Sequence, residues 1–74
     1  MANNSKKPRA WERQPKESQK AYEGFATYRD MGIGRSYEKV AHELVKSKTL
    51  ISRWGAQWEW QERVREWDAM QALD

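Results

Sequence analysis

Behind Ser18, a residue type whose hydroxyl accepts an orphan backbone N–H at a helix start, the apolar positions Ala21, Phe25 and Tyr28 recur at helical spacing. They predict a first helix running to about Met31, ended by Gly32 and Gly34, which supply the left-handed backbone that commonly closes helices. Ser36 is placed to cap a second helix of about two turns. Tyr37, Val40, Ala41 and Leu44 share one face of it, and Glu38 complements its positive end. Val45, Lys46 and Ser47 then form a tight connection, with Ser47 capping a third helix that carries Leu50, Ile51, Trp54 and Trp58 as a buried stripe. A fourth is predicted from near Trp60, with Trp60, Val64, Trp67 and Met70 on one side and Glu59 paired to Arg63 on the outside. The pattern is that of an all-α fold, a small bundle of about four helices.

The opening stretch, residues 1–17, lacks this periodicity and is interrupted by Pro8 and Pro15. It reads as a flexible basic arm ahead of a domain spanning 18–74. Trp11 stands out within it, either folding back onto the domain or inserting against a partner.

Composition sharpens the picture. The chain has 74 residues, enough for one domain, of which 38% are hydrophobic and 34% charged. A core must therefore be drawn from large side chains, and the five tryptophans meet that need. Trp54, Trp58, Trp60 and Trp67 are also candidates for a stacking platform on single-stranded nucleic acid, but their sharing of faces with Ile51 and Val64 favours core packing. Cysteine is absent, which excludes disulfides and thiolate metal sites. No run approaches the roughly 20 apolar residues of a membrane span, so a soluble, cytoplasmic protein is expected. The only histidine, His42, falls on an outer helix face, Glu62 and Glu66 read as solvated, and no glycine-rich phosphate loop occurs. Neither an enzyme nor a cofactor or metal site is expected.

The net charge of +3 is unevenly spread. Residues 1–20 hold six Lys/Arg against two Glu, residues 36–58 four against two, and residues 59–74 two Arg against five acids. One end of the chain attracts polyanions and the other does not.

Two short helices joined by a tight turn, the second capped and polar outside, form the unit that places a helix in the DNA major groove. Such helix-turn-helix units carry a small residue inside the first helix with apolar residues at fixed offsets. Ala41 is the small residue here, with Val40, Leu44, Ile51 and Trp54 at −1, +3, +10 and +13. The turn position at +4, commonly glycine, is Val45, whose branched side chain resists positive φ, so a locally different or longer turn is expected. With Ile51 and Trp54 inward, Ser47, Lys48, Thr49, Ser52, Arg53 and Gln57 face outward as the candidate DNA-binding surface. Arg53 suits bidentate bonding to guanine. Lys48 and Thr49 suit a base or a phosphate, and Ser47 can divide its hydroxyl between cap and phosphate. From the arm, Lys6, Lys7, Arg9 and Arg13 either follow the minor groove or backbone of double-stranded DNA or form a solubilising tail.

The succession Trp11-Glu12-Arg13-Gln14-Pro15, Ala21-Tyr22-Glu23-Gly24-Phe25, Tyr28-Arg29-Asp30-Met31-Gly32, Arg35-Ser36, Val40-Ala41, Ser47, Leu50-Ile51-Ser52-Arg53-Trp54 and Trp58-Glu59-Trp60 resembles the N-terminal helix-turn-helix domain of phage terminase small subunit-like proteins. The resemblance implies recognition of viral DNA for genome packaging, in the host cytoplasm. It also implies later segments, outside these residues, that form a homo-oligomer and engage the large terminase subunit. Similar short phage and prophage proteins act instead as transcriptional regulators. From another class altogether, a helical protein-interaction adaptor with no DNA binding fits the same composition.

Overall fold

Among the described residues, three of the four helices begin on a serine whose hydroxyl does what the sequence expects of it. Ser18, Ser36 and Ser47 accept from the backbone N–H groups of Ala21, Lys39 and Leu50 at 3.0, 3.1 and 3.1 Å. In the computed structural model, which describes residues 7–73, these caps start α1 (Gln19–Asp30), α2 (Tyr37–Leu44) and α3 (Lys48–Gln57). The last helix, α4 (Trp60–Ala72), follows α3 almost without a break. Its start is made by Glu59 in the left-handed region (φ 54°, ψ 49°), with no side-chain cap. The fold is all-helical, as the periodicity indicates. Among the described residues no helix is long and apolar enough to cross a membrane.

Trp60 is the hub of the core and is fully buried. Its ring lies 5.6 Å from Tyr28, 5.6 Å from Tyr37 and 6.3 Å from Phe25, centroid to centroid, the last two edge-on. Such aromatic pairs add roughly 0.5–1.5 kcal/mol beyond the area they bury. Val40, Ala41, Ile51 and Val64 complete the buried cluster, with Trp11, Trp54 and Trp58 half-buried around it. Close helix approach depends on two missing side chains. A Cβ on Gly24 would sit 2.9 Å from the Trp60 ring, and one on Gly55 would sit 2.5 Å from the Tyr37 hydroxyl.

The N-terminal segment departs from the expectation of a flexible arm over 1–17. From Arg9 onward it is strapped to the bundle, because a buried arginine on α4 needs its carbonyls. Arg63, 6% exposed, donates through Nε to the Ala10 carbonyl (2.6 Å) and through Nη2 to the Glu12 carbonyl (2.9 Å). The same guanidinium grips Glu17, 1% exposed, at 2.9 and 3.1 Å, and lies 3.9 Å over the Phe25 ring. Trp11 folds back: its carbonyl accepts from Tyr22 and Arg29, and its ring meets Trp67 edge-on at 5.7 Å. The packed unit therefore includes residues before 18, and residues 1–6 lie outside the described part. The anticipated surface pair of Glu59 and Arg63 is likewise replaced, since Arg63 turns inward to the strap while Glu59 occupies the α3–α4 turn.

Candidate nucleic-acid interface

The α2–turn–α3 unit closes around Ala41 and Val40, both buried against α3. The turn is of standard length, contrary to the expectation raised by valine at its glycine position. Val45 itself takes the left-handed conformation (φ 54°, ψ 51°). Its N–H reaches the His42 carbonyl at 3.3 Å and the Lys46 N–H reaches the Ala41 carbonyl at 2.9 Å. This pair of bonds satisfies the last carbonyls of α2 in the manner usually built on glycine. A non-glycine residue there costs roughly 1–2 kcal/mol, and Val45, 89% exposed, recovers nothing by packing.

With the turn in place, Ile51 and Gly55 of α3 are buried and Leu50, Trp54 and Trp58 are half-buried. The opposite arc is fixed by helical geometry: Thr49, Ser52, Arg53 and Ala56, at successive spacings of 3, 1 and 3 residues, stack along one outward stripe. Thr49, Arg53 and Ala56 are exposed and Ser52 is partly so. Ala56 is absent from the sequence-derived set, although the same periodicity that selects Ser52 and Arg53 from Thr49 selects it too.

The remaining predicted residues divide. Ser47 is exposed, and its Oγ lone pair is taken by the Leu50 N–H while its own proton remains available to donate. Lys48 is exposed but stands off the stripe, lining a groove with Tyr28, Arg35, Ser36, Tyr37, Glu38 and Gln61 between the starts of α2 and α3. Burial pushes the Tyr37 hydroxyl above the ordinary phenol range, and that hydroxyl packs against Gly55 of α3. Gln57 is exposed at the far end of α3, in a depression shared with Ala10, Gln14, Pro15, Glu59, Glu62 and Glu66. Ser52 and Ala56 also border Glu59 and Glu62. The stripe therefore begins on a polar residue, carries its one cation, Arg53, in the middle and is flanked by carboxylates at its end.

The arm residues do not join α3. Lys6 lies outside the described residues and Lys7 is exposed. Arg9 lies 5.7 Å over the Trp11 ring and Arg13 donates to the Glu17 carbonyl at 2.8 Å, both on the strap held by α1 and α4.

Most arginines in this molecule hold it together. Arg29 bonds Asp30, Tyr22 and the Trp11 carbonyl, and Arg35 bonds Asp68 and the Tyr28 and Arg29 carbonyls. Arg65 pairs with Glu62, and Arg63 is the buried anchor. Arg53 is different. Among the described residues no group offers it a hydrogen bond, an ion pair or an aromatic face, and it stands exposed at the middle of a stripe of small side chains. No protein-family model matches the chain, and no curated protein or solved structure gives a significant match to it.

Proposed function

We propose that this protein binds duplex DNA sequence-specifically, seating the first half of α3 in the major groove. The observation that carries the reading is Arg53, an uncommitted guanidinium flanked by Thr49, Ser52 and Ala56, none large enough to hold the helix away from base edges. A guanidinium in that position bonds guanine O6 and N7 together, worth roughly 1–3 kcal/mol of discrimination. Ser47 donates to a phosphate as it caps, Lys48 neutralises a neighbouring one, and the basic stretch containing Lys7 and Arg9 adds salt-dependent attraction. The resemblance to terminase small subunit-like domains favours recognition of viral DNA for packaging as the biological role, with operator binding by a phage regulator as the alternative target.

Fluorescence anisotropy against duplexes tests the reading. Arg53→Ala is expected to weaken the preferred duplex by about ten- to a hundredfold while leaving random duplex nearly unaffected. Lys48→Ala is expected to weaken both alike and to flatten the log K against log salt slope by about 1. Equal affinity of wild type and both variants for every duplex would remove α3 as the reading element. Absence of any salt-sensitive binding would leave the protein-interaction adaptor in its place.

A further inference from the structure

Resting on the duplex reading above, we infer that the site recognises a guanine and a thymine about two base steps apart, Arg53 taking the guanine and the γ-methyl of Thr49 taking the thymine 5-methyl. The stripe offers few groups to the DNA, and their surroundings sort them. Lys48 lines the groove with Ser36, Tyr37 and Gln61 to one side of the stripe, a placement that suits a phosphate better than a base edge. Ala56 shares its flank with Glu59 and Glu62, whose charges repel the phosphate walls of the groove and hold that end of α3 at its mouth. Base reading then falls to the first half of the helix.

There Thr49 and Arg53 are exposed one turn apart on the same stripe, with Ser52 recessed between them. Four residues of helix advance roughly 6 Å, against about 3.4 Å per base along a strand, so a helix lying along the groove puts the two recognised bases about two steps apart. Threonine brings a methyl that suits the apolar face of thymine, and arginine brings the paired donors that suit guanine. Serine at 52 has no methyl to compete. A second base, read by its methyl, thus joins the guanine read by Arg53.

The test uses the full chain and a duplex enriched by it from a random-sequence library. Each guanine of that duplex is replaced singly by 7-deazaguanine, which lacks N7, and each thymine by deoxyuridine, which lacks the methyl. Affinities are measured for wild type, Arg53→Ala, Thr49→Ser and Thr49→Val. One guanine is expected at which the deaza change costs wild type about tenfold and costs Arg53→Ala nothing. One thymine about two steps away is expected at which loss of the methyl costs wild type and Thr49→Val about three- to fivefold and costs Thr49→Ser nothing. A methyl effect that persists undiminished in Thr49→Ser overturns the pairing, as does a coupled thymine more than three steps from the guanine. Failure to enrich any duplex rejects the DNA reading itself, a result distinct from enrichment without methyl coupling.

Discussion

Arg63 and Glu17, 46 positions apart in the chain, meet as a two-bond fork inside the protein, Nη1 to Oε2 at 2.9 Å and Nη2 to Oε1 at 3.1 Å. The remaining Arg63 donors go to the Ala10, Glu12 and Trp58 carbonyls, and the Gln14 N–H bonds the Glu17 carboxylate at 2.8 Å. Burying two charges is costly, and the cost is met only when every polar atom finds a partner. The pair therefore makes the strap part of the fold: without residues 9–17 the α4 cation would be left uncompensated.

Truncating either partner is accordingly expected to be severe. Arg63→Ala or Glu17→Ala should cost about 3–5 kcal/mol, comparable with the whole stability a core of this size supplies. Guanidinium unfolding followed by circular dichroism checks this, with a loss under about 1 kcal/mol contradicting it. Arg63→Lys should fall between, since an ammonium keeps the charge but cannot span the fork and both strap carbonyls.

The α2–α3 turn stores strain that a single change should release. Val45→Gly places at φ 54° the one residue without a Cβ penalty, and the valine side chain it removes is exposed. The gain of roughly 1–2 kcal/mol in the folded state is reduced by about 0.4–1 kcal/mol for the greater freedom of glycine in the unfolded chain. A net stabilisation of about 0.5–1 kcal/mol is expected, seen as a rise in Tm of several degrees for a domain this small. A lowered Tm would mean that the valine methyls pack in a way their exposure does not suggest.

Val45 and Arg63 also mark where the sequence stops being legible. The serine caps, the glycines after α1 and the apolar spacing of each helix act over three or four residues, so Ser18, Ser36, Ser47 and the four elements can be read directly. Val45 misleads because its local preference is overridden: the packing of α2 on α3 around Ala41 dictates the turn, and the residue is held in it at a cost. Arg63 misleads because Glu59 is a chemically suitable neighbour at i−4, whereas the partner it takes comes from a segment with no periodicity to announce a contact. The outward stripe of α3 is legible from its buried counterpart, but the carboxylates flanking its far end come from the α3–α4 junction and need the fold to place them.

A milder pH effect is expected from the clamp between α4 and the α1–α2 connection. Arg35 bonds Asp68 at 2.8 and 3.2 Å, and this hydrogen bonding holds the Asp68 carboxyl below its ordinary value. A depressed folded-state value contributes stability that is present above the unfolded carboxylate range, about pH 4, and is lost as pH falls through the folded value. Because Asp68 is largely exposed, the contribution should stay within about 1 kcal/mol. Urea midpoints measured between pH 6 and pH 3 should fall less steeply in Asp68→Asn than in wild type. Identical slopes would show that the ion pair is too well solvated to matter.

The acidic flank gives the proposed interface a polarity that can be reversed. Glu59 and Glu62 border Ala56, and Glu62 also engages Arg65 at 3.0 Å, so neutralising it both removes a negative charge and frees a positive one. If the first half of α3 enters the groove, these carboxylates face phosphate, and each exposed pairing of this kind is worth roughly 0.2–1 kcal/mol. Glu59→Gln with Glu62→Gln should therefore tighten binding to all duplexes by about two- to tenfold at low salt. The gain should shrink as salt rises, because the Debye length falls to about 10 Å at 0.1 M. Discrimination between duplexes should stay as in wild type, since Arg53 and Thr49 are untouched. Anisotropy at two salt concentrations separates these effects: unchanged affinity at low salt would place the DNA away from the end of α3 altogether, and a changed sequence preference would make the carboxylates readers of bases rather than a repulsive border.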